Sequence, residues 1–464
     1  MSVLLRPLDA GWLWLESPTN LMHGAVLCIF DLPEGAGPHF VADLVARMRS
    51  HTCAVAPYNR RLKRSALGRL WPQWETVDRI DPDRHIFHLA LPSPAGEREL
   101  GVLISQLQST ALDKAHPLWS MHVIEGLPDG RFAIFGKMHH AMADGVAALA
   151  MVDAWLSDDP DARNLTPLKP LWAATRTRRP KSAAPTPSTD LLAQLASAPR
   201  LLSANTRAAY KAMTGVSTRP WNAPRSPLNT PITTHRRVST QSFELDRFRK
   251  LANQTGTTIN DVVLTVCSGA LRRYLGEIGG LPDRPLITNI PVSVGRPDAK
   301  AEGGNAISWA MVSLATDIED PRERLAVIRS ATTHAKEELG QLGADTIDTY
   351  TVLAVSPILV EQAVGLGGHI PPMYNVPISN VPGPRQPKYL DGALLREIYA
   401  LTVLYGGQAL NMVVVSHTDR LNFSFTACAT ALPHVQRLVG HCRAALAELE
   451  HAHKTEAPRK RKAL

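Results

Sequence analysis

Two hydrophobic periods divide the chain. Short apolar runs, most with apolar residues at both odd and even positions, predict strands at 24–30, 85–91, 121–125 and 131–138. Apolar residues spaced three and four apart predict helices at 40–49, 97–110 and 146–156. The Trp12/Trp14 stretch, flanked by Asp9 and Glu16, fits a helix or an extended segment, and 60–74 reads as basic, aromatic loop and strand. Pro92-Ser93-Pro94 marks a turn, and Leu127-Pro128-Asp129-Gly130 marks a hairpin that feeds the run at 131–138. The pattern weakens after Ser157, where proline, arginine, serine and threonine dominate; helical spacing returns at 191–213, broken by Pro199. Beyond Thr234 strands are predicted at 239–245, 286–294, 305–314, 373–380, 410–417 and 421–428. Helices are predicted to begin at 246 and, behind a cap at 257–261, to run through 275; others cover 322–341, 345–366 and 433–451.

Strands and helices in this mixed order define an α/β or α+β class. A chain of 464 residues exceeds one ordinary core. The expected division is an N-terminal domain at 1–157, a crossover linker with a helical part at 158–233, a C-terminal domain at 234–451 and a basic tail at 452–464.

Composition narrows the class. A hydrophobic share of 44% and a charged share of 20% are those of a folded soluble protein, and no apolar run is long enough for a transmembrane helix. The first residues lack the apolar segment of a secretory signal, and the five cysteines (Cys28, Cys53, Cys267, Cys428, Cys442) are odd in number and scattered. Both features fit a reducing cytoplasm. The net charge of +8 is partly local, in Arg176, Arg178, Arg179 and Lys181 and in Lys454, Arg459, Lys460, Arg461 and Lys462. No nucleic-acid module accompanies it; a solvated tail, or attraction to anionic lipid or CoA phosphates, are the readings left open.

The candidate chemistry lies between the run at 131–138 and the helix at 146–156, in His139-His140-Ala141-Met142-Ala143-Asp144-Gly145. A histidine takes and returns a proton near neutral pH. Adjacent side chains diverge, so one of the two histidines faces any given cavity. Asp144 at a helix start can cap free N–H groups or pair with a cation, and Gly145 leaves the backbone open to a substrate. A surface turn followed by a helix cap has the same pattern. Zinc needs three or four ligands, and no HExxH or CxxC pattern supplies them.

The segment resembles the HHxxxDG motif of acyltransferases related to chloramphenicol acetyltransferase and to peptide-synthetase condensation domains. Further stretches narrow the resemblance to the bacterial wax ester synthase/diacylglycerol acyltransferase family over nearly the whole chain. They are Pro7-Leu8-Asp9 with Glu16-Ser17-Pro18-Thr19-Asn20-Leu21-Met22-His23, then Pro117-Leu118-Trp119, Asn260-Asp261-Val262-Val263-Leu264, Pro291-Val292-Ser293-Val294 and Ser379-Asn380-Val381-Pro382-Gly383-Pro384. The resemblance implies two chloramphenicol-acetyltransferase-like domains, each a mixed sheet flanked by helices, with the active site at the domain interface. It implies ester formation from acyl-CoA and diacylglycerol or a long-chain alcohol, with acyl-CoA as cosubstrate and no cofactor. His140 is then the general base and Asn260 an oxyanion donor, or else a helix N-cap. Asp144 is a loop holder, and His139 a packing or hydrogen-bonding neighbour. Pro117, Leu118, Trp119, Asn380, Gly406 and Gly407 shape an acyl channel or serve the fold alone. The substrates' insolubility adds peripheral contact with a membrane or lipid-inclusion surface, and no nucleic-acid partner.

Two departures stand out. Gly295 separates Val294 from Arg296, and His417 stands where relatives often carry tyrosine. The Asp-Phe-Gly-Trp-Gly motif of carnitine-type and condensation-type relatives has no counterpart. A condensation enzyme using a carrier-protein thioester and a non-catalytic lipid-binding relative are the competing readings.

Overall fold

The structure is a computed structural model that describes residues 2–5, 7–50, 55–65, 68, 70–163, 222–293, 307–340, 358, 360–362 and 364–454. The helix predicted at 191–213, most of that at 345–366, the basic residues at 176–181 and 459–462, Cys53, Val294, Gly295 and Arg296 lie outside the described residues.

In chain order the elements are β1 (Ser2–Leu4), α1 (Pro7–Leu15), β2 (His23–Asp31), α2 (Phe40–Ser50), β3 (Arg60–Leu62), β4 (Gln73–Thr76), β5 (Ile86–Ala90), α3 (Glu97–Gln108), β6 (Trp119–Leu127), β7 (Arg131–His139) and α4 (Gly145–Trp155). They continue with β8 (Arg236–Glu244), α5 (Leu245–Thr255), α6 (Ile259–Glu277), β9 (Ile287–Ser293), β10 (Ile307–Ser313), α7 (Pro321–Gly340), β11 (Val376–Pro382), β12 (Tyr389–Leu390), β13 (Ala393–Leu401), β14 (Leu410–His417), β15 (Arg420–Cys428) and α8 (Arg437–Lys454). The described residues group into two compact units. One draws on 1–174, 230–248 and 379–439, the other on 175–229, 249–378 and 440–464.

The first unit is built on a mixed sheet of order β12-β13-β2-β7-β6-β5, in which only β5 and β6 run parallel. Its apolar runs are explained by burial on both faces. Val26, Cys28 and Phe30 of β2 join Phe132 and Ile134 of β7 in one core cluster, covered by Val41, Leu44, Val45 and Met48 of α2 and Leu149, Met151 and Trp155 of α4. The alternate residues Ala25, Leu27, Ile29, Ala133 and Phe135 face a second cluster with Ile104 of α3. The β6–β7 hairpin turns through Asp129 and Gly130 at φ 61° and 63°, the conformation that an Asp-Gly pair adopts without strain.

Between β12 and β2 in this sheet lies β13, for which the sequence reading contains no strand. It pairs along β2 from Leu394↔Asp31 to Leu401↔Ala25, with a register shift between Leu395 and Glu397. Charged Arg396 and Glu397 fall at that shift, so no regular period marks the run.

A further set of strands in the same unit has the order β11-β14-β15-β8. The outer edge of β8 is closed by α3: Ser105 and Ser109 hydroxyls accept from Val238 N (2.9 Å) and Arg236 N (2.8 Å). At the end of β11 the Pro-Gly-Pro turn presses on β14. A Cβ on Gly383 would lie 2.3 Å from Ser416 O, so only glycine fits that approach. His417, the residue in place of a tyrosine, bridges Pro384 O and Leu395 O at 3.1 Å each.

The second unit centres on α6, whose residues Asp261–Leu271 are buried throughout. Its start is a capping box: Thr258 accepts from Asp261 N (3.2 Å), and Asp261 accepts from Thr258 N (2.9 Å). Thr332 of α7 donates to the other Asp261 oxygen at 2.7 Å. In this unit β9 is flanked by β10, antiparallel, and by the first residues of β11, parallel.

Candidate active site

β7 places the motif: His139 is its last residue, paired with His23 of β2. The chain then leaves the sheet. His139 N donates to Leu118 O (2.9 Å), His140 N to Met22 O (2.8 Å) and Met142 N to His139 O (2.9 Å). Asp144 is the N-cap of α4, accepting from Ala147 N at 2.7 Å. The loop bearing His140 is therefore pinned at both ends by backbone bonds.

The two histidines differ in surroundings. His139 is fully buried; its Nδ1 accepts from Ala141 N (3.1 Å), and its Nε2 lies 3.6 Å from Glu16 Oε1. The second Glu16 oxygen contacts Lys114 Nζ. Burial pushes the Glu16 carboxyl up, but the neighbouring His139 N–H and, above all, the Lys114 ammonium hold it below the ordinary carboxylate range.

His140 is half-buried, and its ring stacks on Trp12 of α1 with centroids 3.9 Å apart at 27°. Its Nδ1 is buried with no hydrogen-bond partner of standard geometry. Burial lowers its pKa to about 4, against opposing contributions from Asp144 and from its own backbone carbonyl. The imidazole is therefore neutral at pH 7, the state a base requires.

Cationic and neutral groups behind the motif are equally controlled. Lys137, buried one strand position from Met138, donates to Leu107 O (2.9 Å) and Thr110 O (2.5 Å) and so satisfies the C-terminal end of α3. Burial lowers its pKa to about 8. His23 donates from Nε2 to Gln108 O (3.1 Å); burial first, then the Lys137 charge, lowers it to about 3.

The remaining sequence candidates are placed as follows. Gly145 opens α4, is exposed, and a Cβ there would meet nothing within 4 Å. Pro117 O accepts from Trp119 N (2.9 Å). Leu118 is buried in a small cluster with Leu5, Ala10, Trp74 and Ala141. Trp119 is buried, donates from Nε1 to Tyr58 O (2.8 Å) and stacks on His85. Asn380 is half-buried on β11. Gly406 and Gly407 lie in the turn into β14, where Gly407 has φ 80°. Neighbours of these segments, Val381, Val413 and Val415, share a core cluster with Met142 and Ala143 of the motif loop. Asn260 lies in the second unit at the second position of α6, half-buried. It is not the N-cap that the sequence allowed, because Thr258 holds that place. Among the described residues no group of three or more His, Cys, Asp or Glu is placed to share a metal ion.

Sequence reasoning left Trp12, Glu16 and Lys114 without roles. Trp12 and Glu16 fall within a family-like segment, but neither spacing nor period links them to His140 and His139.

A buried strand ending in a pinned HHxxxDG loop, within mixed sheets flanked by helices, is the fold of condensation domains. The first condensation domain of the calcium-dependent antibiotic synthetase superposes with a TM-score of 0.59 over 99% of this chain and 98% of that one, at 17% identity, a likeness of fold alone. The wax ester synthase/diacylglycerol acyltransferase of Marinobacter aquaeolei VT8 matches at a TM-score of 0.79 and 34% identity, covering 97% of this chain and 100% of that one. Residues 5–263 match the model of the wax ester synthase/diacylglycerol acyltransferase catalytic domain, and 303–450 that of the WS/DGAT C-terminal domain. A probable diacylglycerol O-acyltransferase of Mycobacterium tuberculosis is 36% identical over 97% of this chain and 99% of its own length. The O-acyltransferase WSD of Acinetobacter baylyi is 37% identical over 94% of both. The chain belongs to the wax ester synthase/diacylglycerol acyltransferase family and is an O-acyltransferase.

Proposed function

We propose that this enzyme transfers a fatty acyl group from acyl-CoA to the hydroxyl of diacylglycerol or a long-chain alcohol, with His140 as general base. The observation that carries this reading is His140 itself, a neutral imidazole on a pinned loop in a chain of this family. Nδ1 is buried, which leaves Nε2 to receive the hydroxyl proton. As that proton leaves, the alcohol oxygen bonds to the thioester carbonyl carbon. The carbon–sulfur bond then breaks, and His140 returns the proton to the CoA thiolate. Ester and free CoA are the products, and no acyl-enzyme forms.

Burial has a cost. The imidazolium formed during transfer is less stable than in water by about 3 kcal/mol for a pKa near 4. The Asp144 carboxylate offsets part of this. Open space at Gly145 leaves room for the acyl or alcohol chain beside the helix N-terminus. The assignment of Asn260 to the developing oxyanion rests on the Asn-Asp sequence motif. The chemistry uses the chain's own groups and needs no cofactor beyond the acyl-CoA cosubstrate. Both acceptors are water-insoluble, which supports a site of action at a membrane or lipid-inclusion surface. No described helix is long and apolar enough to cross a membrane.

The test is CoA release by the purified full chain from palmitoyl-CoA, with dioleoylglycerol or hexadecanol as acceptor and ester recovered in step. Acceptor-dependent release with equimolar ester is expected. Release without ester, or none above the acceptor-free rate, would overturn the proposal.

A further inference from the structure

We infer that Glu16 and His139 form a positioning pair that fixes the backbone beneath His140 by setting the tautomer of His139. The inference rests on the reading of His140 as the base, and adds a role for two buried groups that this reading does not use.

Hydrogen-bond directions carry the argument. Ala141 N–H points at His139 Nδ1 from 3.1 Å, and an N–H can only donate. Nδ1 must therefore be unprotonated, and a neutral His139 carries its proton on Nε2. That nitrogen faces Glu16 Oε1 at 3.6 Å, where the side-chain exposures are 0% for His139 and 5% for Glu16. A buried carboxylate so placed favours a proton on Nε2. In the other tautomer two N–H groups would oppose each other at Ala141, and an imidazole lone pair would face the carboxylate. Lys114 contacts the second oxygen and balances the carboxylate's charge.

The chain of contacts ends at His140. Ala141 directly follows it, and the Ala141 side chain is buried among Leu5, Ala10, Trp74 and Leu118. With Ala141 N held by His139 and His140 N held by Met22 O, the peptides on both sides of His140 are fixed. One segment serves both histidines: α1 supplies Trp12, stacked on His140, and Glu16 follows directly after that helix. Neither Glu16 nor His139 exchanges a proton with substrate; they hold the base where its ring meets the hydroxyl.

The experiment is a double-substitution cycle in the full chain, read as kcat and KM for palmitoyl-CoA with hexadecanol. Glu16→Gln removes the charge that selects the tautomer and should lower kcat about tenfold or more, with KM changed less than about threefold. His139→Asn keeps an acceptor near the Nδ1 position, as an amide oxygen that has no tautomer to set. In that background Glu16→Gln should lower kcat less than about twofold. Multiplicative losses in the double variant would overturn the proposal, because Glu16 would then act independently of His139. Nitrogen-15 spectra of the histidine rings give a readout independent of turnover. The resonances lost in His139→Asn should report the Nε2–H tautomer in the parent and a tautomer mixture in Glu16→Gln. If His140 is not the base, the spectra still show the pairing while kcat is unaffected; if the pairing is wrong, the parent spectra show Nδ1–H.

Discussion

Asp144 has two effects that two substitutions separate. Its side chain accepts from Ala147 N at 2.7 Å as the N-cap of α4, and its charge raises the proton affinity of His140. Asparagine caps about as well as aspartate, whereas alanine removes a cap worth about 1 kcal/mol. Asp144→Asn should therefore stay within about 0.5 kcal/mol of the parent, and Asp144→Ala should lose about 1 kcal/mol, seen as a lower midpoint in thermal unfolding. The charge has a separate, bounded effect. Asp144 is exposed, so its interaction with the imidazolium is worth at most about 1 kcal/mol, or about fivefold in rate. Asp144→Asn should thus lower kcat by up to about fivefold and move the acid limb of kcat/KM to lower pH. Asp144→Ala should lose about tenfold or more, because the loop also loosens. The assay is CoA release across pH 4–8 beside thermal unfolding at pH 7. Equal losses of rate and stability in the two variants would refute this division, since the amide retains the cap.

Three further outcomes are expected. Gly145→Ala adds a methyl that meets no protein atom within 4 Å, so thermal stability should hold or rise by a few tenths of a kcal/mol while kcat/KM falls about tenfold; full activity would show that no substrate occupies that space. Stability should fall as pH drops below about 6.5, because burial lowers His23 to about 3 and His122 to about 4 while the unfolded chain protonates normally. Above that pH both states are neutral and these groups contribute nothing; below it the slope is about 1.4 kcal/mol per pH unit per histidine until the folded values are reached, and denaturant stability flat from pH 6.5 to 5 would contradict it. Gly383→Ala should cost about 1–3 kcal/mol, because its Cβ would sit 2.3 Å from Ser416 O; an unchanged unfolding midpoint would show that the turn yields freely.

The site was legible where chemistry and period coincide in one short stretch. The apolar run at 131–138, the paired histidines and the Asp-Gly helix start are contiguous, and the structure realises them as β7, a pinned loop and a capped α4. The partners of those histidines were not legible. Glu16 approaches His139, Lys114 approaches Glu16, and Trp12 approaches His140, only through the packing of α1 and the loop after α3. A surface-type residue such as glutamate gives no sign in a sequence that it is buried, as Glu16 is. The fold shows the same limit. β2 and β7 carry continuous apolar runs at 25–30 and 132–135, whereas β13 is broken by Arg396 and Glu397 at its register shift. Its pairing with β2 joins chain segments that no linear division at 157 and 234 brings together. The Asn-Asp pair was legible as a helix start, but Thr258 and Asp261 make the cap and Asn260 stands inside it.

The central claim is that His140 takes the acceptor's proton. The most direct measurement is kcat/KM for palmitoyl-CoA and hexadecanol in His140→Ala, with folding checked by an unchanged unfolding midpoint. Loss of a general base predicts a fall of about 10²–10⁴-fold. A variant that stays folded and retains activity within tenfold of the parent would contradict the account.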